Sequence, residues 1–223
     1  MPDSIFTLAP ERVQFEQFWI EIKKRNRWLI LLRYITFGIL TIFIIGIIIL
    51  QYVTKNIYIN TLPLCFIDIS ILLYNIAFHR VWHLMPKLEE RFKVNNLHLS
   101  LIQIIFDLIA LSALIYYTGG IETPLYAFFI FQVIIGSLFL PGIIIRIIVS
   151  FFFIGTLLGS LFEMHGIIPH HAIQGLLASP LYNNSWYIGL FFTFFGCMLY
   201  LTTYFTNSIA RELYMQERSL SRA

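Results

Sequence analysis

The fold is decided by residues 29–52, which read LILLRYITFGILTIFIIGIIILQY and carry one charge, Arg33. Because a helix rises about 1.5 Å per residue, about 20 apolar residues cross the roughly 30 Å hydrocarbon core of a bilayer. The six predicted membrane spans are residues 29–52, 61–80, 98–117, 124–141, 144–163 and 186–206. The sequence therefore predicts an all-α integral membrane protein, with residues 29–206 forming a six-helix transmembrane bundle.

The composition of the chain agrees with this class. Of its 223 residues, 58% are hydrophobic and 12% are charged, and the mean hydropathy is +0.78. A soluble domain carries about 25% charged residues. The net charge of +3 does not indicate nucleic acid as a partner, because in such a chain charges are placed relative to the membrane. The lipid bilayer is the predicted surrounding.

The distribution of lysine and arginine predicts the orientation of the spans in the membrane. Cytoplasmic loops of membrane proteins are enriched in both residues. If the N-terminus is cytoplasmic, only Lys55 among the 15 Lys and Arg residues lies outside. The sequence therefore predicts that both termini are cytoplasmic and that the number of spans is even.

Two flanking segments have helical patterns of their own. Residues 1–28 are predicted to form an amphipathic helix on the inner leaflet or, alternatively, a basic flank that sets the topology. Residues 207–223 have heptad spacing, which predicts the start of a signalling coiled coil and a homodimer, or alternatively a short solvated tail. The apolar positions are Phe15, Phe18, Trp19 and Ile22 in the first segment and Ile209, Leu213, Gln216, Leu220 and Ala223 in the second.

Polar side chains inside the predicted spans need a partner or a role, because a charge at the centre of a bilayer costs roughly 2.5–3.5 kcal/mol. Two carboxylates, Asp68 and Asp107, are interpreted either as proton-sensitive or ligand-sensitive groups or as groups that orient the bundle, through an interhelical hydrogen bond or a pair with Arg33 or Arg146. Helical spacing predicts that both polar faces turn toward the bundle interior. The intramembrane polar residues are Asp68, Asn75, Gln103 and Asp107.

A group of titratable side chains follows the fifth predicted span. This composition is compatible with Zn²⁺ binding or with a response to external pH. The alternative interpretation is that the four residues are solvated polar side chains. Their spacing is not a zinc pattern, so no metal site is predicted. The group consists of Glu163, His165, His170 and His171.

Small residues and absent motifs complete the pattern. Gly155 and Gly159 form a GxxxG motif, which predicts close packing against another helix. The chain contains no P-loop, HExxH or GxSxG motif, so no catalytic residue is predicted within it.

The loop after the third span reads YYTGGIETPL over residues 116–125. This loop and the six-span layout resemble the sensor region of bacterial histidine kinases, in particular the redox-responding RegB/PrrB type. In that type the second outside loop carries a GGxxNPF motif implicated in ubiquinone binding. Gly119, Gly120 and Pro124 match the motif. The two departures are Thr123 in place of the Asn and Leu125 in place of the Phe.

The resemblance implies a sensor region in the bacterial cytoplasmic membrane, with an ATP-dependent protein-histidine kinase core expected after Ala223. It also implies a cognate response regulator as partner and a quinone as signal ligand. A quinone head would stack on the tyrosine rings and accept hydrogen bonds from threonine hydroxyls or glycine N–H groups. The alternative for the loop is a purely structural reversal. The candidate ligand-binding residues are Tyr116, Tyr117, Thr118, Gly119, Gly120, Thr123, Pro124 and Tyr126.

A second function is also compatible with the sequence. A small six-helix transporter or ion-coupled carrier would use Asp68 and Asp107 as coupling sites near the membrane midplane.

Overall fold

The computed structural model describes residues 16–55, 58–92, 96–175 and 179–220. Across these ranges the chain forms six α-helices and two short 3-10 helices, and no β-strand occurs in them. The 3-10 helices are Gly120–Glu122 and Pro124–Tyr126. The α-helices are α1 (Glu16–Thr54), α2 (Thr61–Phe92), α3 (Asn96–Tyr117), α4 (Ala127–Phe139), α5 (Gly142–Met164) and α6 (Ser185–Leu220).

Five helices within the described ranges are long and apolar enough to cross a membrane. The all-helical class is therefore confirmed. The apolar segments are Asn26–Thr54, Thr61–Leu84, Asn96–Tyr117, Gly142–Met164 and Ser185–Ala210.

The fourth predicted span, 124–141, is represented by a shorter helix. The 13 residues of α4 extend about 20 Å, against the roughly 30 Å hydrocarbon core. The 3-10 turn Pro124–Tyr126 precedes α4, and Leu140 is extended before Pro141, which shortens the helix at both ends. A sixth membrane crossing therefore stays a prediction.

The helices are arranged so that α3 connects two groups. Helix α1 packs on α2, α4 packs on α6, and α3 contacts helices of both groups. Ile104, Ile121 and Ile145 are among the fully buried side chains of the main core. Outward-facing side chains such as Ile42 and Phe151 are 72% exposed, as expected for helices whose outer faces are apolar.

The flanking segments continue the first and last long helices. Helix α1 has no break between residues 28 and 29, and α6 runs unbroken past residue 206 to Leu220. Residues 1–15 and 221–223, with Phe15 and Ala223, lie outside the described residues, as do the side chains of Phe18, Trp19, Ile22, Leu213, Gln216 and Leu220. Ile209, the first position of the predicted seam, is exposed.

Candidate functional site

A pocket of about 270 Å³ lies between α3, α5 and the loop that follows α3. This volume is close to the lower end of the roughly 300–1,000 Å³ of small-molecule sites. Four of its lining residues are aromatic, and Glu163 is the charged residue that lines it. Phe151 and Gly155, which also line it, are exposed on the outer face of α5, so the pocket opens toward the apolar surface. The aromatic lining residues are Tyr116, Tyr126, Phe151 and Phe152.

Two glycines of α5 create the opening of this pocket. A Cβ atom added at Gly155 or Gly159 would have no atom within 4 Å. Among the described residues, no neighbouring helix packs closely against this GxxxG pair, so within the chain the two glycines leave space on this face of α5.

Gly120 holds the loop backbone against Glu163. Its φ of +54° lies in the left-handed region, which favours glycine. A Cβ atom there would lie 2.5 Å from Oε2 of Glu163, a distance that real side chains do not adopt. Gly119 is also left-handed, with φ +111°. The Gly-Gly pair thus both reverses the chain and leaves room for a buried carboxylate, since Glu163 is only 4% exposed.

A cluster of two carboxylates and a histidine adjoins the pocket at Glu163. His170 Nε2 lies 3.4 Å from Oε2 of Glu122, and His170 Nδ1 lies 3.5 Å from Oε2 of Glu163. The His170 ring stacks on Tyr182, with ring centroids 3.8 Å apart. Oε1 of Glu122 accepts hydrogen bonds from the backbone N–H groups of Leu181 and Tyr182. The cluster therefore connects the loop after α3 and the end of α5 to the segment that precedes α6.

Glu122 is the residue of this cluster that was not predicted from the sequence. It lies inside the YYTGGIETPL stretch, and it is the one charged residue of that loop. The sequence signal that could have identified Glu122 is its position between the Gly-Gly pair and a proline.

The charge of His170 depends on this cluster. Burial of the imidazole lowers the pKa of His170, but the nearby carboxylates of Glu163 and then Glu122 raise it. The net result is that the pKa of His170 lies above its ordinary value of 6.5. The two carboxylates therefore favour the protonated form of the imidazole.

The stability of the folded protein is expected to depend on pH through His170. Because its pKa is raised on folding, the stabilisation is fully present below about pH 6.5 and is lost as the pH rises through the higher folded value. We expect thermal unfolding in nanodiscs to occur at lower temperature at about pH 9 than at about pH 6, and His170→Gln to weaken this difference. His165→Gln is the matched control, because His165 is exposed. An unchanged pH dependence in His170→Gln would contradict the assignment.

Of the eight predicted ligand-binding residues, three line the pocket, namely Tyr116, Gly120 and Tyr126. The hydroxyl of Tyr116 donates to the carbonyl oxygen of Pro169 at 2.9 Å. Tyr117 does not line the pocket, and its ring contacts that of His171 instead.

The remaining predicted residues stabilise the loop itself. The Thr118 hydroxyl donates to the carbonyl oxygen of Leu114 at 2.6 Å. The Thr123 hydroxyl oxygen accepts a hydrogen bond from the N–H of Leu125 and caps the second 3-10 helix. Pro124 begins that helix and is exposed. Both threonine hydroxyls are thus engaged within the loop rather than presented to a ligand.

The four weak metal candidates are divided between different surroundings. Glu163 and His170 are in the cluster, whereas Nδ1 of His165 contacts the carbonyl oxygen of Leu161. His171 packs against the rings of Tyr116 and Tyr117. In the part of the chain that the structure describes, no three His, Cys, Asp or Glu side chains are grouped so that they could hold a metal ion.

A second polar network connects α1, α2 and α3. Arg33 Nε and Nη2 donate to the two oxygens of Asp107 at 2.7 and 2.8 Å, and Nη1 donates to Oε1 of Gln103 at 3.1 Å. The hydroxyl of Tyr74 donates to Asp107 at 3.0 Å. The guanidinium also lies 5.5 Å from the ring centroid of Phe78. Of the two arginines considered from the sequence, Arg33 is the partner of Asp107.

Asp68 and Asn75 are buried on α2, inside the bundle as the polar stripe predicts. The Thr41 hydroxyl donates to Oδ2 of Asp68 at 2.6 Å. Oδ1 of Asp68 is buried and has no hydrogen-bond partner among the described residues. Asn75 Nδ2 donates to the carbonyl oxygen of Ile30 at 3.0 Å and thereby joins α2 to α1.

Comparison with known proteins assigns no family. No protein-family model matches the chain, and neither a curated protein nor a solved structure matches it. Over the residues that it describes, the structure is all-helical and has five helices long and apolar enough to cross a membrane. The resemblance to kinase sensor regions rests on residues 116–125 and on the layout of the spans.

Proposed function

We propose that this chain is the membrane-embedded sensor region of a two-component histidine kinase and that it detects a lipid-soluble ring compound of the quinone class. The observation that carries the proposal is the pocket between α3, α5 and Gly120. It adjoins the loop on which the resemblance rests, and it opens on an apolar surface. A ligand dissolved in the bilayer would reach it without crossing water.

The shape and lining of the pocket suit a flat ring. Tyr116, Tyr126 and Phe152 provide aromatic walls, and each aromatic contact contributes about 0.5–1.5 kcal/mol beyond the burial of area. Gly155 and Gly159 leave the entrance free of side chains. The ring would enter over these glycines.

The cluster beside the pocket connects the pocket to the start of α6. Glu163 lines the pocket and contacts His170, and His170 stacks on Tyr182 just before α6. Helix α6 then runs 36 residues without a break, about 54 Å. A ligand that changes the position of Glu163 would therefore alter the start of the helix that is proposed to lead to the kinase core.

Filling the pocket entrance is expected to weaken ligand binding. In Gly159→Leu the side chain occupies the free space, so we expect the affinity for a short-chain benzoquinone or benzohydroquinone to fall by at least about tenfold, or about 1.4 kcal/mol. Binding is measured by equilibrium dialysis of the full chain in nanodiscs, with empty nanodiscs subtracted. The matched control is Gly189→Leu on α6, where added atoms also meet nothing within 4 Å. Wild-type affinity in Gly159→Leu would overturn the pocket as the site.

The transporter alternative has one observation in its favour. Oδ1 of Asp68 is buried without a partner among the described residues, whereas Asp107 is engaged by Arg33 and Tyr74. The reading frame after Ala223 separates the two functions. Codons for a helix-borne histidine and glycine-rich ATP-binding motifs are expected for the kinase. A stop codon there, with liposome uptake that Asp68→Asn abolishes, would contradict the sensor proposal.

A further inference from the structure

Asp68 has no counter-charge among the described residues. It is only 5% exposed, and no ion pair that involves it occurs in that part of the chain. Arg33 and Asp107 pair with each other at 2.7 Å. They are the other two charged side chains in the central parts of α1, α2 and α3, which are residues 28–54, 61–78 and 99–117. A carboxylate buried without a cation is so costly that such a group takes up a proton instead.

Neutral titratable side chains do not hydrogen-bond to this carboxyl group either. In the central parts of the three helices these side chains are Tyr34, Tyr52, Cys65, Tyr74, Tyr116 and Tyr117. Among the described residues, the carboxyl group of Asp68 has one hydrogen-bond partner, the hydroxyl of Thr41, and its Oδ1 atom is buried with none. The protonation state of Asp68 therefore depends on its burial and on Thr41.

The Thr41 hydroxyl has more acceptors around it than it has hydrogens. Its oxygen lies 2.6 Å from Oδ2 of Asp68 and 2.9 Å from the carbonyl oxygen of Phe37. With Asp68 ionised, the hydroxyl donates to Oδ2 and has no hydrogen left for Phe37, because a carbonyl and a carboxylate only accept. A protonated Asp68 donates to the Thr41 oxygen instead, and Thr41 then donates to Phe37. Both short contacts are therefore complete hydrogen bonds only when Asp68 carries a proton.

From these contacts we infer that Asp68 is a proton-binding site inside the bundle, occupied in the neutral range, whose hydrogen lies on Oδ2 and is donated to Thr41. The inference does not depend on the proposed ligand or on a kinase output. Loss of the proton leaves a carboxylate whose Oδ1 has no partner and whose Oδ2 has one neutral donor. Because Thr41 is on α1 and Asp68 is on α2, protonation is linked to the packing of these two helices.

Infrared spectroscopy detects this proton directly, because the C=O stretch of a carboxylic acid is separate from the bands of an ionised carboxylate. The full chain is labelled with a heavy carbon isotope at its aspartate carboxyl groups, which distinguishes them from glutamate. It is measured in an ester-free detergent, since lipid esters absorb in the same region. At about pH 7, where an ordinary aspartate is ionised, we expect an aspartate carboxylic acid band in the wild type and its loss in Asp68→Asn.

Two control variants assign the band. Asp107→Asn should retain it, because Asp107 is the carboxylate that is paired with Arg33. Thr41→Val keeps the side-chain shape but removes the acceptor, so the band should persist at a shifted frequency. Circular dichroism checks that each variant is folded. The inference would be overturned by a wild type without the band, by a folded Asp68→Asn that keeps it, or by an unshifted band in Thr41→Val.

The pH dependence of stability gives an independent measurement. Between about pH 5 and about pH 6 an aspartate in the unfolded chain is ionised, so a folded chain that keeps the proton on Asp68 binds one proton more and loses stability as the pH rises. We expect the unfolding equilibrium constant of the wild type, divided by that of Asp68→Asn, to increase about tenfold over this interval. The contribution of His170 is common to both proteins and cancels. A ratio that does not change with pH would show that Asp68 is ionised in the folded chain and would overturn the inference.

Discussion

An Arg33→Met variant is expected to lose about 3–5 kcal/mol of folding free energy, because it leaves the carboxylate of Asp107 inside the bundle without its cation. The side chains of Arg33 and Asp107 are only 6% and 10% exposed, and two hydrogen bonds of 2.7 and 2.8 Å join them. The variant also leaves Oε1 of the buried Gln103 without its donor. The free energy of unfolding is measured by titrating the folded chain with a denaturing detergent and following helical circular dichroism.

Two further variants show whether the loss comes from the buried charge. Arg146→Met removes an exposed arginine whose Nε donates to the carbonyl oxygen of Gly142 in its own helix, so we expect a change within about 0.5 kcal/mol. Arg33→Met combined with Asp107→Leu removes both charges and is expected to recover a large part of the stability. An Arg33→Met variant that is as stable as Arg146→Met would show that the pair does not orient the helices.

The long helices could be predicted from the sequence because length and apolar composition alone determine them. Residues 29–52 read as one apolar run and lie within α1. The fourth span was harder to place, because its apolar residues extend from 124 to 141 whereas the helix α4 has only 13 residues. Hydropathy does not register that Pro124 begins a 3-10 turn or that Leu140 is extended. Backbone conformation at these ends is a local steric effect that apolar content does not report.

The candidate site could be predicted only in part, because its members meet through tertiary structure. Residues 116–126 were identified through the resemblance of their Gly-Gly loop to the kinase sensor motif. The engagement of Thr118 and Thr123 within the loop depends on a backbone conformation that their residue types do not specify. Gly155 and Gly159 have the same sequence pattern whether a helix covers them or leaves them open.

The partner of Asp107 illustrates the same limit. Arg33 and Arg146 were equal candidates in the sequence, and α3 contacts both α1 and α5. The choice depends on which helix faces the Asp107 side of α3, and this is a matter of packing among helices that are far apart in the chain. Periodicity identifies the polar face of one helix without identifying the helix that covers it.

Gly120→Ala is expected to destabilise the protein by about 2–5 kcal/mol. A left-handed backbone costs an L-residue about 1–2 kcal/mol, and the added methyl group would lie 2.5 Å from Oε2 of Glu163, an overpacking that adds about 1–3 kcal/mol. Gly166→Ala isolates the first contribution, because its φ of +69° is similar and a Cβ atom there meets nothing within 4 Å. The same detergent titration measures both variants.

The excess cost of Gly120→Ala over Gly166→Ala should depend on Glu163. If the added methyl group collides with that carboxylate, a double-mutant cycle with Glu163→Ala will show a favourable coupling of about 1–3 kcal/mol, since the shorter side chain removes the collision. If the two glycine variants are equally destabilised and the cycle shows no coupling, Gly120 acts only through its backbone. That outcome would contradict the close approach of the Gly120 backbone to the buried Glu163 carboxylate at the wall of the pocket.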